Sequence, residues 1–232
     1  MMNILPKIFI AIDQNDINKA KELIQKLPPE ICGIKVGKEL FTVCGPEIIE
    51  WIHAKGFKVF LDLKYHDIPN TVEKACFAAS NMGISILNVH ALGGKDMLLA
   101  AKEGIDKSNN APYLIAVTLL TSMDPNALKE IGLHSSVSNQ ILNLAKSASQ
   151  ASLDGIVCSA KDITDIKDAL PENFLYVTPG IRLSDSAKDD QKRITTPLEA
   201  IKMGSNILVI GRPITQARDP ESVLNSIISE IN

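Results

Sequence analysis

The chain has 232 residues, 45% hydrophobic and 22% charged, with a formal net charge of -3 and a pI near 5.8. That length supports one sizeable core and falls within the usual span of a single α/β barrel. Because the charge balance is weakly acidic and the basic residues are scattered, neither nucleic acid nor an anionic membrane surface is the implied partner, and any functional positive charge must be local.

Pro6 and Lys7 interrupt the N-terminal apolar stretch, so no signal core is expected there. No segment approaches the roughly eighteen apolar residues of a membrane span. The expected location is cytoplasmic. In chain order, Ile8 to Ile12 reads as a first strand ending at Asp13, followed by a helical stripe of Ile17, Ala20, Leu23, Ile24 and Leu27. Ile34 to Val36 is the second strand; Pro46 then opens a helix carrying Ile48, Ile49 and Ile52. Gly56 is placed as a helix end before the third strand, Val59 to Leu63. Val72, Ala75, Cys76 and Ala79 share the next helical stripe, which Gly83 closes before the fourth strand, Ile84 to Val89.

Tyr113 to Leu120 is the fifth strand and Gly155 to Cys158 the sixth, with Gly155 also read as a helix-ending glycine. Leu175 to Val177 and Ile207 to Ile210 complete a set of eight, and Pro220 starts a last helix striped with Val223, Leu224, Ile227, Ile228 and Ile231. Continuous apolar runs suit parallel strands covered on both faces, and eight βα units suit closure into a (β/α)8 TIM barrel, with residues 1–232 forming one domain. A doubly wound open sheet is the alternative, but Ile12-Asp13-Gln14-Asn15-Asp16 stands where its Gly-x-Gly-x-x-Gly would follow the first strand. The four cysteines, Cys32, Cys44, Cys76 and Cys158, have neither disulfide nor zinc spacing and read as small core residues.

In a barrel, the C-terminal strand ends form the active rim, and here they carry charge. Strand one ends at Asp13, strand two at Lys35-Val36-Gly37, strand three at Asp62-Leu63-Lys64, strand four at Asn88-Val89-His90, strand seven at Thr178-Pro179-Gly180-Ile181-Arg182 and strand eight at Gly211-Arg212. Residues two apart on a strand share a face, so Asp62 and Lys64 point together, while Leu63 and Tyr65 face the helices. An isolated Asp-x-Lys would be read as a structural ion pair. The loops after strands seven and eight commonly hold phosphate, and Gly211 with the forked donors of Arg182 and Arg212 suits that task. Leu183 to Ile194 reads as a lid over this site, with Gln191 able to reach a ligand. His66 and His90 are taken as histidines satisfied by backbone rather than as proton carriers.

Asp-x-Lys-x-x-Asp-Ile-x-x-Thr at Asp62 to Thr71, with Asp13, Lys35-Val36-Gly37, Leu120-Thr121-Ser122, Thr178 to Arg182 and Gly211-Arg212, closely resembles the orotidine-5'-monophosphate decarboxylase family over nearly the whole chain. The resemblance implies a cofactor-free enzyme that makes uridine monophosphate in pyrimidine synthesis, working as a homodimer with shared active sites. It further implies catalytic roles for Lys35, Asp62, Lys64 and Asp67, and substrate contacts from Asp13, Lys35, Asp62, Ile68, Thr71, Thr121, Ser122, Arg182, Gln191, Gly211 and Arg212. Asp67 and Thr71 would be lent to the neighbouring subunit. Asn70 departs from the Thr of many members but lies between motif positions.

Loss of carbon dioxide from C6 of the pyrimidine leaves an electron pair in the ring plane that resonance cannot spread, so the protein must supply electrostatic stabilisation. An ammonium at Lys64 could stabilise that pair and then protonate it, with Asp62 and Asp67 on either side. No metal is expected. A metal-dependent relative on the same barrel, such as a hexulose-phosphate synthase, is the nearest rival, and Lys35 argues against it because an ammonium there would repel a cation. A catalytically silent phosphosugar or nucleotide binder is the rival from another class; the complete charged set argues against that.

Overall fold

The computed structural model of the protein describes residues 5–183 and 195–232. Strands and helices alternate: β1 (Ile8–Ile12), α1 (Ile17–Ile24), β2 (Gly33–Gly37), α2 (Lys38–Cys44), α3 (Glu47–Ala54), β3 (Val59–Tyr65), α4 (Pro69–Ser80), β4 (Ile86–His90), α5 (Gly94–Asp106) and β5 (Tyr113–Val117). Next come α6 (Pro125–Glu130), α7 (Val137–Gln150), β6 (Gly155–Val157), α8 (Ala160–Ile166), β7 (Leu175–Thr178), α9 (Pro197–Met203), β8 (Ile207–Ile210), α10 (Arg212–Thr215) and α11 (Pro220–Ile231). The eight strands pair in sequence order, all parallel, and β8 returns to β1, closing a (β/α)8 barrel.

Two apolar layers account for the continuous hydrophobic runs. Residues pointing out of the barrel, such as Ile8, Ile10, Ile34, Val36, Leu61, Leu87 and Leu208, pack against helix stripes that include Ile24, Ile48, Ile52, Cys76, Leu98, Leu224 and Ile227. The inward set is smaller: Phe9, Ala11, Phe60, Ile86, Ile115, Val177, Ile207 and Val209 fill the barrel's interior, with Phe9 and Phe60 meeting edge to face at 6.1 Å. Gly33 gives Phe9 its room, since a Cβ there would lie 2.4 Å from the Phe9 ring. Each fully buried Leu, Ile or Phe contributes about 1.5–3 kcal/mol of transfer free energy, so the helix-facing layer carries most of the stability.

Gly56 and Gly83 do adopt left-handed conformations after α3 and α4. Gly155 does not. It lies inside β6, where a Cβ would come within 2.3 Å of the Leu175 carbonyl oxygen, and the left-handed residue after α7 is Ser152, at φ 61°. Glycine at 155 is therefore a matter of close strand packing and not of a helix end. Strand β5 stops at Val117, short of Leu120; Thr118 there donates its hydroxyl to the Val157 carbonyl at 3.0 Å. Among the described residues no helix is long and apolar enough to cross a membrane.

Candidate active site

Charge enters the barrel where the inward-pointing columns reach the C-terminal rim. On β2 the inward series runs Gly33, Lys35, Gly37; on β3 it runs Phe60, Asp62; on β4 it runs Ile86, Asn88, His90. The alternation that buries Phe60 and Ile86 thus carries Asp62 and Asn88 into the same interior one layer higher. Gly37 keeps the space above Lys35 open, because a Cβ at that position would lie 3.1 Å from the Lys35 Nζ and 3.3 Å from an Asp13 oxygen.

These residues form one chain of alternating charge. Lys35, only 7% exposed, lies with its Nζ 3.5 Å from Asp13 Oδ1 and 3.2 Å from Asp62 Oδ2. Asp62, 8% exposed, receives the Lys64 Nζ on its other oxygen at 2.5 Å, and Asn88 Nδ2 donates to that same oxygen at 2.6 Å. Burial alone would raise the Asp62 carboxyl's pKa; the ammonium groups of Lys35 and Lys64, with the hydrogen bonds from Lys64 and Asn88, outweigh it and hold the pKa below the ordinary carboxylate value. Leu63 and Tyr65 pack toward the helices.

A cavity of about 210 Å³ opens over this array, lined by Ala11, Asp13, Lys35, Asp62, Pro179, Gly180, Arg182, Val209, Gly211 and Arg212. One wall is therefore the Asp13–Lys35–Asp62 series and the other is the pair of connections after β7 and β8, with two guanidinium groups and glycine backbone. Such a two-sided lining can hold a molecule that is anionic at one end and presents a reacting group to Lys35 and Asp62 at the other; Lys64 is not part of the lining and reaches this wall through Asp62, 2.5 Å from its Nζ. A larger hollow along the last helix, lined by Asp219, Glu221 and neutral polar residues, lies on the outer surface with no part of this array. Among the described residues, no three His, Cys, Asp or Glu side chains are gathered to hold a metal ion.

Other expected site residues stand apart from the cavity within one chain. Asp67, Ile68 and Thr71 are exposed where β3 passes into α4; Asp67 Oδ1 accepts the Ile68 N–H at 2.7 Å, and Ile68 is 66% exposed. Thr121 and Ser122 lie in the turn after β5, half-buried and exposed respectively, outside the cavity lining. Gln191 and the rest of the expected lid beyond Leu183 fall outside the described residues. His90 departs from the expectation of a backbone-satisfied histidine: its buried Nδ1 has no hydrogen-bond partner among the described residues, and its ring lies 5.5 Å from that of His66. Burial, reinforced by the positive charges of His66, Lys38 and Lys64, brings its pKa down to about 4. The reading from sequence also passed over Asn88, Pro179 and Gly180 as site residues. Asn88 had a visible signal, a polar residue in phase with the inward-facing Ile86 on a strand otherwise apolar up to its end.

Comparison with known proteins points to one family. The family described as orotidine 5'-phosphate decarboxylase / HUMPS matches residues 6–227. An orotidine 5'-phosphate decarboxylase of Saccharophagus degradans is 50% identical over 226 residues, covering 97% of this chain and 95% of that protein. One of Pseudoalteromonas atlantica is 50% identical over 223 residues, covering 96% of each. The crystal structure of the orotidine 5'-phosphate decarboxylase of Lactobacillus acidophilus superposes with a TM-score of 0.88 at 37% identity, covering 99% of this chain and all of that one.

Proposed function

The chain belongs to the orotidine 5'-phosphate decarboxylase / HUMPS family, and from that premise we propose that it converts orotidine 5'-monophosphate to uridine 5'-monophosphate and carbon dioxide, a step of pyrimidine synthesis, without a cofactor. The observation that carries the reading is the linked Asp13–Lys35–Asp62–Lys64 array beside a cavity whose other wall holds Arg182, Gly211 and Arg212. Lys35 between two carboxylates favours this over the metal-dependent branch, since its ammonium already occupies the charge position a divalent cation would need.

In this reading the two arginines hold the phosphate, Asp13 and Lys35 orient the ribose, and the substrate carboxylate lies against Asp62 and Lys64. As carbon dioxide leaves, the C6–carboxylate bond breaks and its electron pair stays on C6. Lys64 then transfers a proton to C6, and its ammonium becomes an amine until solvent reprotonates it. Repulsion between Asp62 and the carboxylate, two charges ~4 Å apart, supplies only about 4 kcal/mol at an effective dielectric of ~20, whereas the largest enzymatic accelerations need about 23 kcal/mol or more. The balance must come from stabilising the transition state, where a preset array of opposite charges needs no reorganisation. Phosphate binding energy would serve to seat the ring and exclude water.

We further infer a homodimer in which the partner subunit's Asp67 and Thr71 complete each site. The exposure of Asp67, Ile68 and Thr71 supports it, as do the exposed apolar side chains of Phe77 on α4, Leu92 before α5 and Leu99 on α5. The decisive assay follows the loss of orotate absorbance when orotidine 5'-monophosphate is added, with and without a chelator. Conversion unaffected by chelation is expected; an unchanged spectrum would favour a binder, and abolition by the chelator would favour the metal-dependent branch.

A further inference from the structure

Lys64 adopts a backbone conformation that its side chain disfavours. Its φ of 54° puts it in the left-handed region, where a residue with a Cβ is strained. The strain coincides with a break in the sheet. Leu61 pairs with Leu87 and Tyr65 with Val89, so three residues of β3, Asp62, Leu63 and Lys64, stand opposite a single residue of β4, Asn88. This bulge takes the Lys64 N–H out of the regular ladder.

Asn88 receives it. Its side-chain oxygen accepts the Lys64 N–H at 2.8 Å, and its Nδ2 donates to Asp62 Oδ1 at 2.6 Å, the oxygen that also holds the Lys64 ammonium. Asn88 is fully buried, and its two partners fix the orientation of its amide: a backbone N–H can only donate and a carboxylate can only accept. The amide therefore ties the backbone of Lys64 and the carboxylate that holds its side chain into one ring. Few side chains can replace it. Aspartate would set a second carboxylate against Asp62, leucine would satisfy neither group, and glutamine would need one more methylene in a packed interior.

We propose that Asn88 is a positioning residue for the decarboxylation: its amide holds the left-handed bulge at Lys64 and so aims the ammonium at the reacting carbon. The inference rests on the role given to Lys64 above and goes beyond it by naming what keeps that group in place. A displacement of about 1 Å in a reacting group lowers turnover roughly 100-fold, while contacts that only bind substrate set KM.

The test uses the full chain with Asn88→Ala, Asn88→Asp and, as control, Lys64→Ala, with kcat expressed per folded site counted by nucleotide-binding stoichiometry. Asn88→Ala should lower kcat about 100-fold with KM changed less than about threefold. In Asn88→Asp the new carboxyl, when protonated, can again donate to Asp62 and accept from Lys64. Its kcat relative to wild type should therefore rise about tenfold or more from pH 8 to pH 5.5, which a merely structural role would not produce. Should Asn88→Ala fail to fold, the Asn88→Asp pH profile decides alone. A kcat within about threefold of wild type for Asn88→Ala, or a pH-independent ratio for Asn88→Asp, overturns the proposal. If Lys64→Ala itself keeps wild-type turnover, the reading of Lys64 fails instead, and the two failures are told apart.

Discussion

Replacing Asp62 with alanine isolates what the buried array contributes to the fold. The carboxylate is 8% exposed and holds Lys35 at 3.2 Å and Lys64 at 2.5 Å. Lys64 keeps a side-chain exposure of 25% and can turn toward water; Lys35, at 8%, cannot, and Asp13 at 3.5 Å is 65% exposed and too well solvated to replace the lost partner. Breaking a buried pair by removing one member costs about 3–5 kcal/mol, and the mobility of Lys64 favours the lower end. For 232 residues the entropy of unfolding near the midpoint is about 0.5 kcal/mol per kelvin, so Tm should fall by roughly 6–10 °C. Thermal unfolding followed by circular dichroism at pH 7.5 measures this, with both proteins at equal concentration because association shifts Tm. The pH dependence gives a second handle. The folded pKa of Asp62 lies below its unfolded value, so its contribution is complete above the unfolded carboxylate pKa of about 4 and is lost as pH falls through the folded one. The gap between wild type and Asp62→Ala should therefore close in strong acid. An unchanged or raised Tm at pH 7.5 would refute the reasoning, because it would mean that Lys35 finds water or another partner without Asp62.

Arg212→Ala should lower kcat measured at saturating orotidine 5'-monophosphate as well as raise KM, because phosphate binding energy is used in the transition state; an unchanged kcat at saturation would limit Arg212 to ground-state binding. Burial, with His66, Lys38 and Lys64, depresses His90 to about 4, so the unfolded chain takes up its proton first as pH falls from about 6.5, and stability should decline between about 6.5 and 4 by up to ~3 kcal/mol. Denaturant titrations of wild type and His90→Asn across that window should show a flatter slope for the variant, and equal slopes would count against a neutral buried imidazole. Mixing Asp67→Ala subunits with Lys64→Ala subunits should restore part of the activity that each lacks alone, as shared sites require; no recovery in heterodimers verified by mass would place each site within one chain.

Residues 8–12 and 207–210 were legible as strands because both faces of a barrel strand are apolar, and the charged rim was legible because Asp13, Lys35, Asp62 and Arg212 interrupt that pattern at the same strand end. Gly155 was misread because a glycine ahead of a strand has two uses, a left-handed turn or close packing. Only the neighbouring strand, which brings the Leu175 carbonyl to within 2.3 Å of a Cβ at 155, distinguishes them. The placement of Thr121 and Ser122 beyond the cavity lining, and the outward exposure of Ile68, likewise depend on the whole assembly, which local pattern does not encode.

Lys64 shows the limit most clearly. Period-two alternation puts it on the face of Asp62, and its ammonium does lie against that carboxylate, yet a regular strand is not how it gets there: three residues of β3 bulge opposite Asn88 and Lys64 turns left-handed. Local conformational preference alone would choose glycine or asparagine at φ 54°, and a lysine there is disfavoured by about 1 kcal/mol or somewhat more. A backbone preference of that size is small beside the ion pair and hydrogen bonds that hold the turn, and glycine would supply no ammonium. The strain therefore persists at the side chain to which the proposed function gives the proton transfer, and its support, Asn88, lies 24 residues away on the next strand, beyond the reach of any rule that reads the chain one segment at a time.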